Sequence, residues 1–338
     1  MQRRSFLEGA AALAALGRLG GAQAQTPAQP QAQTAPAPLS GNAFIVSGFP
    51  AGGMGDYVAR PLAERLRGRY AASMVVEARP GAGGRIAVDH VRRAAPDGLT
   101  ILQIPSSPMT LYPHTYRKLS YDPLADFVPV TSTVSYAFVL TAGPGLPGDI
   151  KTVADYIRWA KANPTQANYG IPSAGSALHF VGIMLAKATG APLMPIAYKG
   201  GAPLLNDVLG GQVPVSFSVL GEVMPHIRSG KLRGLAVSSA ARSPFLPELP
   251  TFVEQGFKDI AVQEWLGWFL PAKTPGDTVA RLNALVREGL QAPELVASLA
   301  QSGLAPLHQP ADEFARMLRA DTARWAPVVK ASGFTAED

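Results

Sequence analysis

From Gly41 onward, short apolar runs alternate with stretches in which apolar residues recur every three or four positions. These are the periods of buried strands and of helices packed on one side. Ala43-Phe44-Ile45-Val46 predicts a buried strand, and Val58, Ala59, Leu62, Ala63, Leu66 and Tyr70 predict a helix behind it. Residues 74–76 and 99–104 predict two more strands, separated by a helix through Ile86, Val88 and Val91 that Pro96-Asp97-Gly98 ends. Repetition of strand, turn and helix is the pattern of an α/β sheet covered by helices.

A second unit starts after the run at 134–141. Thr152 and Asp155 stand at capping-box spacing ahead of a helix that Pro164 stops. Strands are predicted at 168–169, 194–198, 213–217 and 232–237, with helices over 178–188, 204–209 and 223–227. Residues 265–270 read as a return strand, and helices follow over 277–290, 293–300 and 311–329. A chain that leaves one α/β unit, builds a second and comes back places a cleft between them. The expected division is 41–135 with 266–338 in one domain and 136–265 in the other, crossing near 133–138 and 264–267.

The richest loop is GFPAGGMGD, residues 48–56, between the first strand and its helix. Gly52, Gly53 and Gly55 permit conformations closed to other residues, so several N–H groups can converge at the positive end of that helix, an arrangement that binds anions. The same residues also fit a plain connection rich in glycine. Neither nucleotide signature is met, since no Gly-Lys-Ser/Thr follows, and Asp56 at the helix entrance repels a bare phosphate. Ser106-Ser107-Pro108 ends a further strand, and a small-residue turn, Ser173-Ala174-Gly175-Ser176, lies between strand and helix in the second unit. In open α/β sheets, ligands sit at the carboxyl ends of strands, where all these loops fall.

The first residues are not expected to belong to the fold. Arg3-Arg4-Ser5-Phe6-Leu7, an apolar run over 10–16 and Ala22-Gln23-Ala24 have the layout of a twin-arginine export signal spanning 1–24. Residues 25–40, mostly Gln, Ala, Pro and Thr, predict a flexible linker. Removing the leader leaves 27 basic against 23 acidic residues, a net charge of +4 spread along the chain. That favours anions mildly and lacks the clustered basic face of a nucleic-acid binder. With no cysteine there is no disulfide framework and no lipid attachment site. The reading is a cleaved, periplasmic monomer.

Enzyme chemistry finds little support. No Gly-x-Ser-x-Gly elbow occurs, and Ser173, His179 and Asp56 would have to meet across two domains. The five histidines are scattered without metal-ligand spacing, so neither a metal nor a cofactor is expected. Tyr198 and Lys199 could place a cation near the cleft; a solvated lysine is the plainer reading. Trp265 and Trp268 fit either hinge-strand core or an apolar pocket wall.

Taken together, GFPAGGMGD, VARPLAERL, VVEARPGAGG, YKGGAP, GGQV, HIRSGKLRGLAV and ELPTFVEQGF resemble, in order and spacing, the Bug family, the extracytoplasmic solute receptors of tripartite tricarboxylate transporters. The resemblance spans nearly the whole mature chain. It implies a type II periplasmic binding protein fold, two α/β domains closing on a small organic anion, a carboxylate, with transporter subunits as membrane partners and no catalysis. It also implies that main-chain N–H groups from two facing loops hold the carboxylate. By position these loops contain Phe49, Pro50, Ala51, Gly52, Gly53, Gly55 and Asp56 in one domain, and Ser173, Ala174, Gly175, Ser176 and His179 in the other. Ser106 and Ser107 would complete the floor. Met54-Gly55, Ser173-Ala174-Gly175 and Ser218 depart from the family's usual Gly-Ser, Gly-Asn-Gly and Asp. This implies a less polar solute, an aromatic or branched carboxylate. A periplasmic hydrolase or transferase on a similar scaffold is the alternative.

Overall fold

The computed structural model describes residues 37–336. The export signal and most of the linker lie outside the described residues.

The first half runs through β1 (Leu39–Ser47), α1 (Met54–Leu66), β2 (Ala71–Ala78), α2 (Arg85–Arg92), β3 (Thr100–Pro105) and two short helices, α3 (Ser106–Thr110) and α4 (Tyr112–Thr115). The long strand β4 (Phe127–Ala142) leads into α5 (Val153–Ala162), β5 (Asn168–Ile171), α6 (Ala177–Thr189), β6 (Met194–Ala197), α7 (Gly201–Leu209), β7 (Val215–Val219), α8 (Leu220–Arg228) and β8 (Arg233–Val237). The chain returns on β9 (Gln263–Pro271) and ends with α9 (Gly276–Leu290), α10 (Pro293–Gln301), β10 (Ala305–Pro306) and α11 (Ala311–Ser332).

The strands form one sheet in the order β2-β1-β3-β9-β4-β7-β5-β6, with β8 and β10 also pairing with β4. β1, β2 and β3 are mutually parallel, as are β6, β5 and β7. β4 and β9 run antiparallel to their neighbours and join the two parallel sets. β4 is shared: residues 127–137 pair with β9, and residues 138–142 pair with β7 and β8. The switch between partners falls between Ala137 and Phe138.

Burial follows the predicted periods. Val58, Ala59, Leu62, Ala63 and Leu66 of α1 are buried beside Ile45 of β1. That core continues through Phe138 of β4 to Tyr169 and Phe217 in the second half. Val88, Leu102, Phe269 and Phe314 fill the other face of the first half, and Val139, Leu204 and Val223 that of the second. The capping box at Thr152 is formed, with Asp155 and Thr152 satisfying each other's backbone N–H.

Three details differ from the sequence pattern. β1 begins at Leu39, so Leu39 and Ser40 belong to the sheet and not to the linker. β4 begins at Phe127, well before residue 134, because Pro129 sits at a register shift that a ladder tolerates. The polar Thr131-Ser132-Thr133 that broke the apolar pattern is bonded internally, to Gln309 and to the Leu266 carbonyl. Ser106-Ser107-Pro108 opens a helical turn directly from β3 where a loop was expected. Trp265 and Trp268 are both core: they are buried, and their indole N–H groups donate to Asp321 and Gln103.

Gly221 marks the tightest approach of α8 to the connection after α10, since a Cβ there would lie 2.0 Å from the Ser302 carbonyl oxygen. Gly221→Ala should therefore destabilise the protein by about 1–3 kcal/mol through overpacking. Gly276→Ala, facing open space, should be neutral or stabilising by up to about 1 kcal/mol. Urea unfolding of both variants against the parent checks the pair.

Candidate functional site

The first loop is shaped by what glycine allows and by one carboxylate. Gly52 has φ +81°, and Gly53 caps α1 without a side chain. Asp56, in the first turn of α1, accepts the Gly52 N–H at 2.7 Å and pairs with Arg60 at 3.0 Å. It braces the loop from behind. Phe49, Pro50, Ala51, Gly52 and Gly53 are exposed. The amides of Gly53, Met54 and Gly55 have no acceptor among the described residues and stand at the positive end of a 13-residue helix. The Gly55 carbonyl accepts Gln103 Nε2 at 3.0 Å, and Gln103 Oε1 accepts the Trp268 indole at 3.0 Å. The loop is thereby tied to β3 and β9.

The second loop is also braced by its own side chains. Ser176 caps α6 by accepting the His179 N–H at 3.4 Å, and its hydroxyl donates to the Ser173 carbonyl at 2.7 Å. Gly175 has φ +72°, with the Phe334 ring 3.2 Å from where a Cβ would sit. Its N–H donates to Nδ1 of His179 at 3.2 Å, and the imidazole meets Phe334 edge-on at 4.9 Å. Burial holds the His179 pKa below its ordinary value. The ring is thus neutral, with Nδ1 as acceptor, and it acts as a brace. Ala174 is exposed and Ser173 half-buried at the rim.

The end of β3 is organised by Glu264 of β9, which is buried. Its Oε1 accepts the Ser106 hydroxyl (3.0 Å), the Ser107 N–H (3.1 Å) and the Ser107 hydroxyl; its Oε2 accepts the Tyr136 hydroxyl at 2.8 Å. All four partners donate, which suits the carboxylate form. Desolvation nevertheless pushes the Glu264 pKa up, the four hydrogen bonds opposing it, and no cation pairs with it among the described residues. Burial, then Glu264, raises the Tyr136 pKa well above the ordinary phenol range. Ser107 Oγ in turn accepts the Ala177 N–H at 3.4 Å. This bond links the end of β3 in the first half to the start of α6 in the second.

The structure therefore brings Ser107 against the start of α6, and ties Gly55 to β3 and β9 through Gln103. The remaining predicted residues engage partners within the second half. The Tyr198 hydroxyl donates to Asp207 at 2.7 Å, and burial together with Asp207 pushes its pKa to about 12. Lys199 is exposed, and Ser218 is buried in a hydroxyl chain through Ser216 to Thr141. No cluster of His, Asp or Glu that could hold a metal ion occurs among the described residues. A groove of about 690 Å³ walled by Ile183, Met184, Phe257, Ile260 and Val328 lies elsewhere and touches none of the predicted residues.

Sequence reasoning missed the pair of Glu264 and Tyr136. Glu264 carried a signal, an acid at the head of an otherwise apolar, aromatic strand, where an unpaired charge has no place.

Two α/β halves joined by shared antiparallel strands, each with a small-residue turn ahead of a helix, have the architecture of a binding protein. Comparison with known proteins names its kind. Residues 58–334 match the model of the tripartite tricarboxylate transporter family receptor. Protein BugT of Bordetella pertussis is 33% identical over 304 residues, covering 88% of this chain and 93% of that one. The structure of periplasmic binding protein BugD aligns with a TM-score of 0.78 at 32% identity, covering 89% of this chain and 100% of the other. An R. palustris protein solved with adipate aligns with a TM-score of 0.80 at 31% identity, covering 88% and 99%. The chain belongs to the tripartite tricarboxylate transporter receptor family. It is a solute-binding receptor and not a hydrolase or transferase.

Glu264 supplies a pH test. Its folded-state pKa is raised above the ordinary 4.5, so its contribution is fully present below that value and is lost as pH rises through the shifted one. The thermal midpoint of the parent, minus that of Glu264→Gln, should fall steadily between acid and neutral pH. A difference independent of pH would contradict the assignment.

Proposed function

We propose that this receptor is exported by a cleavable twin-arginine leader, works in the periplasm as a monomer, and captures a small carboxylate-bearing solute for tripartite tricarboxylate-type uptake or sensing. Two domains, 41–135 with 266–338 and 136–265, close on the solute. Its carboxylate is received by the unpaired amides of Gly53, Met54 and Gly55, and by the turn that Ser173, Gly175 and Ser176 form opposite. The observation that carries this reading is the Ala177–Ser107 hydrogen bond, which sets the second turn against the floor to which the first is tied. The adipate bound to the R. palustris relative fits a carboxylate as the common element. The membrane partner follows from the family description.

A thermal-shift screen of carboxylates tests it, since a ligand that binds only the folded state stabilises it by about 2.7 kcal/mol at a hundred times its Kd. At least one carboxylate should raise the midpoint in a concentration-dependent way without being consumed. Asp56→Ala frees the Gly52 amide and loosens the loop, so it should keep the fold and weaken that ligand about tenfold, the order expected for one lost charge-assisted hydrogen bond. Unchanged affinity in this variant would remove the first loop from the site.

A further inference from the structure

The last described residues come back to the second turn. At the end of α11 the left-handed Gly333, φ +67°, stops the helix, and the Ser332 hydroxyl accepts the Phe334 N–H at 3.0 Å. Phe334 then packs, half-buried, on the first turn of α6: its ring meets that of His179 edge-on at 4.9 Å and that of Phe180 at 5.7 Å. Two residues further on, the Ala336 N–H donates to the Thr115 carbonyl at 2.8 Å, and Ala336 forms a parallel bridge with Tyr116. Thr115 ends α4 in the first half of the chain, whereas α6 belongs to the second. Residues 333–336 are thus a strap between the two.

Gly175 is where the strap acts. Glycine leaves a turn many alternative conformations, so the shape of this one is set by what packs on it. Gly175 holds φ +72° and donates its N–H to Nδ1 of His179 at 3.2 Å, a bond that needs the imidazole in one orientation. Phe334 packs against that imidazole and also lies 3.2 Å from where a Gly175 Cβ would sit. One ring therefore touches both partners of the bond.

Resting on the receptor reading above, we infer that Phe334 is a positioning residue for the solute: the strap anchored on Thr115 sets its ring on Gly175 and His179, and so holds the second turn in the pose that receives a carboxylate. The ring acts through the turn. Without it, the turn has to be ordered anew at each binding event, and affinity falls by that cost.

The test is calorimetric titration with linear mono- and diacids, adipate among them, and with benzoate, joined to hydrogen exchange of the unliganded protein. Phe334→Ala should unfold cooperatively and bind the tightest of these acids about three- to tenfold more weakly, the range expected for one aromatic contact. Exchange should rise at residues 173–177 and match the parent in β1 and β4, a local change that general loss of stability would not produce. Ala336→Pro, which lacks the anchoring N–H, should move both readouts the same way. Gly175→Ala should bind weakly, and adding Phe334→Ala to it should cost less than the two changes summed, because the smaller side chain makes room for the new methyl. Parent-like affinity in Phe334→Ala beside weak binding in Gly175→Ala overturns the role of Phe334 and leaves the second turn in the site. Parent-like affinity in both removes the second turn from the site, and this inference with it. If none of the acids binds to folded protein, the carboxylate reading fails and carries this inference down too.

Discussion

A buried carboxylate without a cation has to be surrounded by donors, and meeting that demand sets the geometry between the two halves. Glu264 sits on β9 and draws its donors from α3 and from β4. Removing a carboxylate from water costs several kcal/mol, and hydrogen bonds to a charged group return about 1.5–3 kcal/mol each. Four of them bring the balance close to even, so the group is tolerated only where all four are made. Their demand holds the first turn of α3 directly against the end of β3, and so places the Ser107 hydroxyl where the Ala177 amide can reach it. Lose the carboxylate, and three buried hydroxyls lose their acceptor together.

The two small-residue turns share a division of labour. Asp56, Ser176 and His179 look, by residue type, like groups that would grip a ligand. Instead each is spent on its own loop: Asp56 on the Gly52 amide, Ser176 on the cap of α6, His179 on the Gly175 amide. In the first turn the amides of Gly53, Met54 and Gly55 are left without an acceptor among the described residues. Polar side chains shape the turns from behind, and glycines let the main chain approach from the front.

Much of this was legible in the sequence, because it is local. The strand and helix periods, the capping box at Thr152 and the glycine turn depend on neighbours within a few positions. Family resemblance added the expectation that the two loops face each other. What escaped was non-local. Ser107 and Glu264 are 157 residues apart, and no periodicity announces that a serine after β3 will meet an acid on a return strand. The early start of β4 escaped for another reason: Pro129 and three hydroxyl residues disguise a strand whose polar groups are satisfied by Gln309 and Leu266.

The sharing of β4 has a mechanical consequence. Most two-lobed molecules need a loose tether at the pivot, but here the pivot is a strand whose hydrogen bonds pass from β9 to β7 without interruption. Its register shifts at residues 129–131 and 132–134 supply slack in the form of local twist. A pivot of that kind would let the two halves rotate about the shared strand while resisting sliding or separation.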